Sequence, residues 1–316
     1  MTSSFWSVRV TVTGGAGFIG SNLVDALVAR GDEVRVVDDM STGYRENVNP
    51  DAEVIEAELP DLDAVARAVD GCDAVFHLAA HRAVFRSVEQ PLATDHANTH
   101  GTLTVLKAAA DAGVRRVVYS SSSSVYGGAA TMPTAESEPT WPRSPYAVTK
   151  LAGEHYCRVW SELFGVETVA LRYFNVYGPR QRPDSAYAAV IPLFIDWLRT
   201  GERPVVHGDG EQTRDFTYID DVVAANLAAA TAPADACSGK AYNIAGGQSY
   251  SLLELLGALA DILGVTPEPT HTDPRPGDVR HTRADISAAT RDLGHTPQVA
   301  FPDGLDRTVE WFTRRS

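Results

Sequence analysis

Two hydrophobic periods alternate along the first half of the chain. Short runs of mainly apolar residues, typical of buried strands, are separated by segments in which apolar residues recur at helical spacing. The predicted strands are 9–12, 33–37, 52–55, 74–80, 116–119 and 168–172, and the predicted helices are 21–28, 62–69, 95–112 and 145–164. This order of strand, helix and strand predicts an α/β fold with a parallel sheet.

The regularity loosens beyond residue 173. The further predicted elements are a loop at 178–187, a helix at 188–200, a strand at 241–244 and a leucine-rich helix at 252–263. The segment 267–277 is rich in proline and glycine, which predicts irregular structure. We therefore expect the second half to be less regular than the first.

A glycine-rich turn, Thr13-Gly14-Gly15-Ala16-Gly17-Phe18-Ile19-Gly20, links the first predicted strand to the first helix, and the second strand ends on Asp38. Gly14 allows a sharp turn, Gly17 lets the backbone approach a pyrophosphate, and Gly20 lets the helix lie close to the strand. The helix N-terminus offers free N–H groups to phosphates. Asp38 can accept hydrogen bonds from both adenosine ribose hydroxyls and would repel a 2′-phosphate, which favours NAD over NADP. A glycine turn that binds nothing is the alternative, and the complete strand–turn–helix–strand–acid unit disfavours it.

Composition narrows the class of protein. With 316 residues, 44% hydrophobic and 22% charged, the chain has the composition of a globular protein with one large or two intergrown domains. Its net charge of −14 argues against a nucleic-acid partner, and makes any arginine that meets an anionic ligand informative. The three cysteines lack metal or redox spacing, so we expect reduced thiols in a cytoplasmic protein. The sequence predicts no signal peptide and no membrane span.

A second motif carries candidate catalytic groups. The serine run 120–124 follows the predicted strand 116–119, at the strand end where open α/β sheets bind ligands. Pro145 suits a helix start, which places Tyr146 and Lys150 on one helical face at i and i+4. A neighbouring ammonium favours the phenolate form of a tyrosine, and a serine hydroxyl can hold a substrate oxygen that loses its proton. Together with the glycine turn, this predicts an NAD-dependent enzyme.

The glycine spacing and these motifs resemble the extended short-chain dehydrogenase/reductase superfamily. Over nearly its full length the chain resembles the NAD-dependent UDP-sugar 4-epimerases within the nucleotide-sugar epimerase/dehydratase branch. The resemblance is carried by residues 13–23, 76–80, 98–101, 120–127, 144–150, 171–179, 208–221 and 275–286. It implies a Rossmann doubly wound parallel sheet with a smaller, interleaved α/β substrate-binding domain. The implied domains are 1–174 for NAD binding, with 216–245 returning to it, and 175–316 mainly for the nucleotide sugar.

The resemblance also implies roles for individual residues. Tyr146 would be the base that takes the proton from the sugar 4-hydroxyl, Lys150 would bind the nicotinamide ribose and lower the tyrosine pKa, and Ser122 would hold O4. The implied cofactor-binding residues are Gly14, Gly17, Phe18, Ile19, Gly20, Asp38, Leu59, Ala79, Ala80, Asn98, Tyr146 and Lys150.

The implied nucleotide-sugar site lies mostly in the second half. Its residues are Ser122, Ser123, Asn175, Arg182, Val190, Arg214, Arg275, Asp278 and Thr282. Asn175 matches an asparagine that contacts the diphosphate, Arg214 and Arg275 match arginines that clamp it, and Asp278 matches an acid on the uridine ribose. Guanidinium groups suit a diphosphate, although each arginine taken singly could be a solvated surface charge.

The chain also departs from related families. Dehydratases of this branch carry an Asp-Glu pair where this sequence has Ser123 and Ser124, so dehydration would lack its acid. His96 and His100 have helical metal-ligand spacing, but the sequence offers no third ligand, and we expect no metal site.

Two positions bear on the sugar. Thr282 stands where glucose/galactose-restricted epimerases place a bulky tyrosine, which leaves room for a larger substituent. Arg182 matches an Arg-Pro-Asp segment of UDP-glucuronate 4-epimerases, in which the arginine holds the C6 carboxylate. The segment around Val190 instead looks like that of N-acetylhexosamine epimerases, and Arg182 could also be a loop charge. The sequence reading favours conversion of UDP-glucuronate to UDP-galacturonate.

Several alternatives stay open at this point. UDP-glucose or UDP-N-acetylglucosamine could be the substrate, and the enzyme could be a nucleotide-sugar dehydratase or decarboxylase. A third hypothesis is that the protein is not an enzyme but a catalytically silent NAD-binding scaffold. The presence of both Tyr146 and Lys150 disfavours this hypothesis. By resemblance we expect a homodimer formed through helices 95–112 and 145–164.

Overall fold

The computed structural model describes residues 8–129, 131–182, 189–274 and 279–314. In this part of the chain the strands are β1 (Arg9–Thr13), β2 (Glu33–Asp38), β3 (Glu53–Glu56), β4 (Ala74–His77), β5 (Arg116–Ser122), β6 (Glu167–Tyr173), β7 (Val176–Tyr177), β8 (Val205–His207), β9 (Thr213–Asp215), β10 (Thr217–Tyr218), β11 (Lys240–Ile244), β12 (Ser249–Ser251) and β13 (Thr270–Thr272). No helix among these residues is both long and apolar enough to cross a lipid bilayer.

The helices of the same part fill the connections. They are α1 (Phe18–Arg30), α2 (Leu62–Val69), α3 (Val84–Glu89), α4 (Pro91–Asp95), α5 (Gly101–Asp111), α6 (Pro145–Leu163), α7 (Val190–Thr200), α8 (Ile219–Thr231), α9 (Ala234–Cys237), α10 (Leu252–Leu263), α11 (Ser287–Leu293) and α12 (Phe301–Arg314). A π-helical turn, His96–His100, joins α4 to α5, and a 3₁₀ turn, Ser123–Tyr126, follows β5.

Seven parallel strands form the main sheet in the order β11-β6-β5-β4-β1-β2-β3. Small two-stranded pairs, β7 with β10, β8 with β13 and β9 with β12, lie in the second half of the chain. The predicted Rossmann fold with a smaller, interleaved α/β region is confirmed. β11 comes from the second half and extends the sheet beyond β6, whereas the exact division into domains stays a prediction.

The core lies on both faces of this sheet. Val118 on β5 packs on the face covered by α1 and α8, and the adjacent Val117 packs on the face covered by α2, α5 and α6. Because successive side chains of a strand point to opposite faces, a strand buried on both sides must be apolar at nearly every position. This explains the continuous apolar runs of the sequence.

Some sequence predictions differ from the structure. The helix predicted at 95–112 is interrupted by the π turn His96–His100, and the strand predicted at 74–80 ends at His77. The segment 267–277, expected to be irregular, contains β13, which pairs with β8. The structure also contains α8, α11 and α12, which the hydrophobic pattern did not identify. The loop predicted at 178–187 lies partly outside the described residues.

Close packing of α1 against the glycine turn generates a first prediction. A Cβ atom on Gly20 would lie 2.1 Å from the carbonyl oxygen of Gly14, which real Cβ atoms do not tolerate. We expect Gly20→Ala to push α1 away from β1, to lower the free energy of unfolding by about 1–3 kcal/mol or more, and to weaken NAD binding. Chemical denaturation and equilibrium dialysis with NAD measure both effects.

Gly257 is the matched control. It lies exposed in the middle of α10, where an added Cβ would meet nothing within 4 Å. Gly257→Ala should therefore raise stability by about 0.5–1 kcal/mol, because alanine loses less backbone entropy in a helix, and should leave NAD binding unchanged. Equal effects of the two substitutions on NAD binding would contradict the packing argument.

Candidate active site

The glycine turn brings the end of β1 close to its neighbouring strands. Gly14 has a φ of +72° and donates its N–H to the Val37 carbonyl at 2.8 Å. A Cβ there would lie 2.7 Å from the Ala79 nitrogen, so only glycine lets the turn pass this close to the segment after β4. Gly17 then caps the N-terminus of α1. The first N–H groups of this helix open into the cavity that the turn lines.

Asp38, at the end of β2, is buried beside this turn. Its Oδ2 accepts the Ala16 N–H at 2.9 Å and its Oδ1 accepts the Met40 N–H at 2.9 Å. Burial raises the pKa of the carboxyl group, and the two backbone donors oppose that shift. Each carboxylate oxygen keeps a second acceptor site, so a pair of ribose hydroxyls can still be bound.

A cavity at the carboxyl ends of β1, β2 and β4 is lined by most of the expected cofactor residues. They are Gly14, Gly17, Phe18, Ile19, Gly20, Asp38, Leu59, Ala79 and Ala80. The lining also includes Ser120 from the serine run, and residues that sequence reasoning missed: Thr42, Tyr44, His81, Arg82 and Arg180. Arg82 could have been found, because it follows a strand end that faces the ligand edge of the sheet. The loop 39–47 and Arg180 carry no comparable local signal.

A chain of buried hydrogen bonds connects the glycine turn to the helices behind it. His77 Nδ1 lies 2.8 Å from the Thr13 hydroxyl, and Nε2 lies 2.9 Å from the Thr102 hydroxyl. The Thr102 hydroxyl donates its hydrogen bond to the Asn98 carbonyl at 2.6 Å, so it must accept the hydrogen bond from His77 Nε2. Nδ1 therefore carries no proton and accepts a hydrogen bond from the Thr13 hydroxyl. Burial lowers the pKa of His77 to about 3, with a smaller contribution from Lys150, so the ring is neutral.

Asn98 does not line the cavity directly but holds groups that do. Its side-chain oxygen accepts the His81 N–H at 2.8 Å, and its amide donates to the His81 carbonyl and the Thr149 hydroxyl. These bonds fix the loop after β4 to α6. Asn98 lies in the π-helical turn, where the local helix geometry gives way to these tertiary bonds.

The candidate catalytic tyrosine lies where β5 meets α6. Tyr146 is buried in the first turn of α6, and Ser144 caps that helix by accepting the Ala147 N–H at 3.1 Å. Burial raises the pKa of the Tyr146 phenol, while a hydrogen bond from Ser122 and the nearby positive charge of Arg82 lower it. The structure therefore brings Tyr146 and Ser122 together and adds Arg82 as a cation beside them.

Lys150 lies one turn further along α6. Its Nζ donates to the Ser120 carbonyl at 2.7 Å and lies 5.0 Å from the centre of the Tyr119 ring. Burial lowers the pKa of the Lys150 ammonium to about 7, and the acidic groups of Cys157 and Glu154 partly oppose this shift. A buried ammonium with one carbonyl partner retains donors for a further oxygen ligand.

Part of the expected nucleotide-sugar site converges in the second half of the chain. The Asn175 amide donates to the Asp215 carbonyl at 3.0 Å and lies 3.5 Å from the Thr282 hydroxyl, which in turn accepts the Asp215 N–H. Asp215 is buried and accepts the Gly247 and Ala284 N–H groups, and burial raises its pKa to about 7. Asn175 and Thr282 are thus held together by a common support.

Other expected sugar-site residues of the described ranges lie on β9, on α7 and in the 3₁₀ turn after β5. Arg214 donates to the Thr213 carbonyl at 2.9 Å, Val190 begins α7, and Ser123 begins the 3₁₀ turn after β5. Arg275 and Asp278 lie outside the described residues.

Arg182 lies against the loop that follows β2. Its guanidinium stacks 4.4 Å from the centre of the Tyr44 ring and donates to the Thr42 carbonyl at 3.1 Å. Arg182, Tyr44 and Thr42 all line the cavity of the glycine turn. The arginine expected to hold a sugar carboxylate therefore contacts the side of the site at which Asp38 lies.

The residues present fit a dinucleotide. The turn at Gly14 and Gly20 leaves no space for side chains, and the helix N-terminus and Asp38 supply phosphate and ribose partners. Arg180 also lines the cavity; its Nη2 pairs with Asp25 at 2.6 Å, and its Nη1 is buried without a hydrogen-bond partner. Such an orphaned donor suits a diphosphate oxygen.

No metal centre is visible in the described ranges: they contain no group of three or more His, Cys, Asp or Glu side chains placed to hold an ion. His96 and His100 lie side by side, with ring centres 5.2 Å apart. The expectation that the protein needs no metal stays a prediction.

Comparisons with known proteins agree with this site. The model of the NAD dependent epimerase/dehydratase family matches residues 10–245. The UDP-glucose 4-epimerase of Mycolicibacterium smegmatis is 40% identical, over 98% of this chain and 100% of that protein.

Two solved structures are similar over nearly the whole chain. One is a UDP-N-acetylglucosamine 4-epimerase from Methanobrevibacter ruminantium M1 in complex with UDP-N-acetylmuramic acid, with a TM-score of 0.94, 39% identity and coverage of 99% of this chain and 100% of that one. The other is the UDP-glucose 4-epimerase of Thermotoga maritima with UDP-glucose, with a TM-score of 0.93, 37% identity and coverage of 97% and 99%. The prediction of an NAD-dependent enzyme is confirmed, and the chain belongs to the NAD dependent epimerase/dehydratase family.

Proposed function

We propose that this chain is a UDP-sugar 4-epimerase, an isomerase that acts through a transient 4-keto sugar. The observation that carries the proposal is the junction of β5 with α6 beside the cavity of the glycine turn, where Lys150 donates to the Ser120 carbonyl at 2.7 Å and Tyr146 is buried one turn earlier on the same helix. The named epimerases that this chain resembles over almost all of its length support the same activity. Bound NAD would accept the C4 hydride and return it.

The chain's own residues would handle the proton and hold the sugar. Tyr146 would take the proton of the 4-hydroxyl and return it after the 4-keto sugar has rotated in the site to present its other face. Ser122 would hold O4 while it loses this proton. The positive charge of Arg82 would favour the phenolate of Tyr146, opposing the burial that favours the phenol. Lys150, one turn further along α6, would bind the nicotinamide ribose, as the resemblance implies. Such an enzyme regenerates its cofactor within each turnover.

Epimerisation fits the residues after β5 better than dehydration does. Ser123 and Ser124 stand where the related dehydratases carry an acid pair, and a hydroxyl cannot protonate a leaving oxygen as a carboxylic acid can. The Ser124 hydroxyl is buried without a hydrogen-bond partner. The dehydratase and decarboxylase readings therefore rank below the epimerase.

For the sugar, we infer a neutral hexose, glucose or N-acetylglucosamine, rather than glucuronate. Arg182 would have to leave Tyr44 and the Thr42 carbonyl to clamp a sugar carboxylate. By the family resemblance, Thr282 stands where glucose/galactose-restricted epimerases place a bulky tyrosine, so it would leave room for an N-acetyl group. The relatives named above act on UDP-glucose or UDP-N-acetylglucosamine. We therefore place UDP-glucose and UDP-N-acetylglucosamine, which the sequence analysis left open, above UDP-glucuronate, which it favoured.

Removing the phenol hydroxyl tests the mechanism. Tyr146→Phe should lower kcat by about 10²–10⁴-fold or more, because the proton acceptor is lost while the ring still fills its buried position. Ser122→Ala should have a smaller effect. Conversion of UDP-sugars followed by NMR at C4, with NAD content measured after denaturation, separates catalysis from cofactor binding. A Tyr146→Phe enzyme with near wild-type turnover would exclude the proposed mechanism.

A substrate panel tests the choice of sugar. We expect kcat/KM to be higher for UDP-glucose or UDP-N-acetylglucosamine than for UDP-glucuronate, since the described contacts of Arg182 hold it on the cofactor side. Arg182→Leu should then change turnover of all three substrates by a similar factor. The opposite result would be a wild type that prefers UDP-glucuronate and an Arg182→Leu variant that loses only this preference. It would support the hypothesis that Arg182 holds the C6 carboxylate.

The expected homodimer stays a prediction with its own test. Val88 on α3, Leu92 on α4 and Val148 on α6 expose 62%, 86% and 52% of their surface, and both short helices pack against α6. We expect light scattering to report a dimer at micromolar concentration, and Val148→Asp to convert it to a monomer by placing a charge in an apolar contact. Val265→Asp, at an exposed apolar position after α10, is the control. A monomeric wild type would contradict the prediction.

A cytoplasmic location also stays a prediction.

A further inference from the structure

Three consecutive residues of β5 contact the catalytic helix α6. The Ser120 carbonyl accepts from Lys150 Nζ at 2.7 Å, the Ser121 hydroxyl donates to the Glu154 carboxylate, and Ser122 lies near enough to Tyr146 to lower the pKa of its phenol. The helical partners are spaced four residues apart, so they lie along one face of α6. We propose that Glu154, through Ser121, is a positioning residue that fixes α6 on β5 and thereby sets the distance between Tyr146 and Ser122.

Glu154 is suited to this role because a second strand holds it rigidly. Arg172 on β6 donates to both of its carboxylate oxygens, from Nε at 2.9 Å and from Nη2 at 2.7 Å, and both side chains are buried. A buried ion pair is tolerated only when its geometry is good and its remaining donors are satisfied. Arg172 Nη1 meets that condition through the Tyr126 hydroxyl at 2.7 Å.

The same network reaches the second half of the chain. The Tyr126 hydroxyl donates to Asn243 Oδ1 on β11 at 2.7 Å, and the Asn243 N–H donates to Glu136 at 2.8 Å. The ends of β5, β6 and β11 are therefore tied to one carboxylate on α6. Since packed side chains cannot adjust freely, loss of the tie at Ser121 should displace the Ser122 hydroxyl from Tyr146. Errors of about 1 Å in such geometry can cost up to 100-fold in rate.

A purely structural ion pair is the competing explanation, and the chain offers a control for it. Thr168 on β6 is fully buried and donates to the Cys157 carbonyl of α6 at 2.7 Å. It ties the same helix to the same sheet, about two turns beyond Lys150. Thr168→Val removes this tie at similar volume. If α6 needed only secure attachment, this substitution and Ser121→Ala would have the same consequences.

The experiment compares NAD-loaded wild type with Ser121→Ala, Glu154→Asp, the double variant and Thr168→Val. Glu154→Asp keeps the charge opposite Arg172 and withdraws the carboxylate from Ser121 by one methylene. We expect each single variant at this contact to lower kcat by about tenfold with KM unchanged. The double variant should lose no more than either single one, because both remove one contact. Thr168→Val should keep wild-type kcat although its melting temperature falls.

A second readout does not depend on the proposed function. Ser122 from β5 and Arg82 from the loop after β4 both lower the pKa of Tyr146, and Lys150 follows Tyr146 by four residues on α6. Ser121→Ala should weaken the effect of Ser122 and raise the pKa of the phenol, followed by phenolate absorbance with Tyr146→Phe as the blank. An unchanged phenol pKa in Ser121→Ala and Glu154→Asp would overturn the positioning role, as would an equal shift in Thr168→Val. Wild type that converts no UDP-sugar would instead refute the proposed function.

Discussion

The geometry of the site depends on two hydrogen bonds made by the neutral ring of His77. The ring accepts a hydrogen bond from the Thr13 hydroxyl, just before the glycine turn, and donates a hydrogen bond to Thr102 on α5, which in turn donates to the Asn98 carbonyl. An imidazolium could not accept from Thr13, so the chain of bonds requires a ring that stays uncharged in the acid range, as burial ensures. Through Asn98 and Thr149 the chain continues to α6. One continuous line of buried hydrogen bonds therefore connects the glycine turn to α6.

Charge is distributed around the site in a way that the overall composition conceals. The protein is strongly acidic, with a net charge of −14, yet Arg82, Arg180 and Arg182 all line the cavity of the glycine turn. In a chain of this sign such clustering concentrates positive potential where a dinucleotide and a nucleotide diphosphate would both bring phosphates. The buried acids serve a different purpose: Asp215 and Glu154 accept hydrogen bonds from groups that hold the framework.

Spacing along the sequence predicted those parts of the site whose residues lie close together in the sequence. The glycine turn, Asp38 and the pair Tyr146 and Lys150 depend on distances within one strand–helix unit, and the structure places all of them around the same edge of the sheet. Contacts between distant segments could not be predicted in this way. The interruption of the helix at Asn98 depends on bonds to His81 and Thr149.

Position within a family pattern and contact in the structure give different information about a residue. Arg182 matches an arginine with a known partner, but its neighbour Tyr44 belongs to a loop about 140 residues earlier, which no local pattern reveals. Glu154 shows the opposite case. It follows Tyr146 and Lys150 at four-residue steps, and a search for polar residues on that helical face would have found it.

The placement of β11 has a consequence for how the chain folds. β11 lies about 70 residues beyond its neighbour β6, and between them the chain builds α7 and α8 and several short strands. Arg116, buried on β5, donates to the carbonyls of Ala229 and Ala232 in the same returning segment. A fragment that stops after β6 would leave an unpaired, apolar sheet edge, and Arg116 would lose both of these carbonyl partners while keeping Glu167 on β6. We therefore expect the sheet of the first half to be completed only when the second half has been synthesised and β11 pairs with β6.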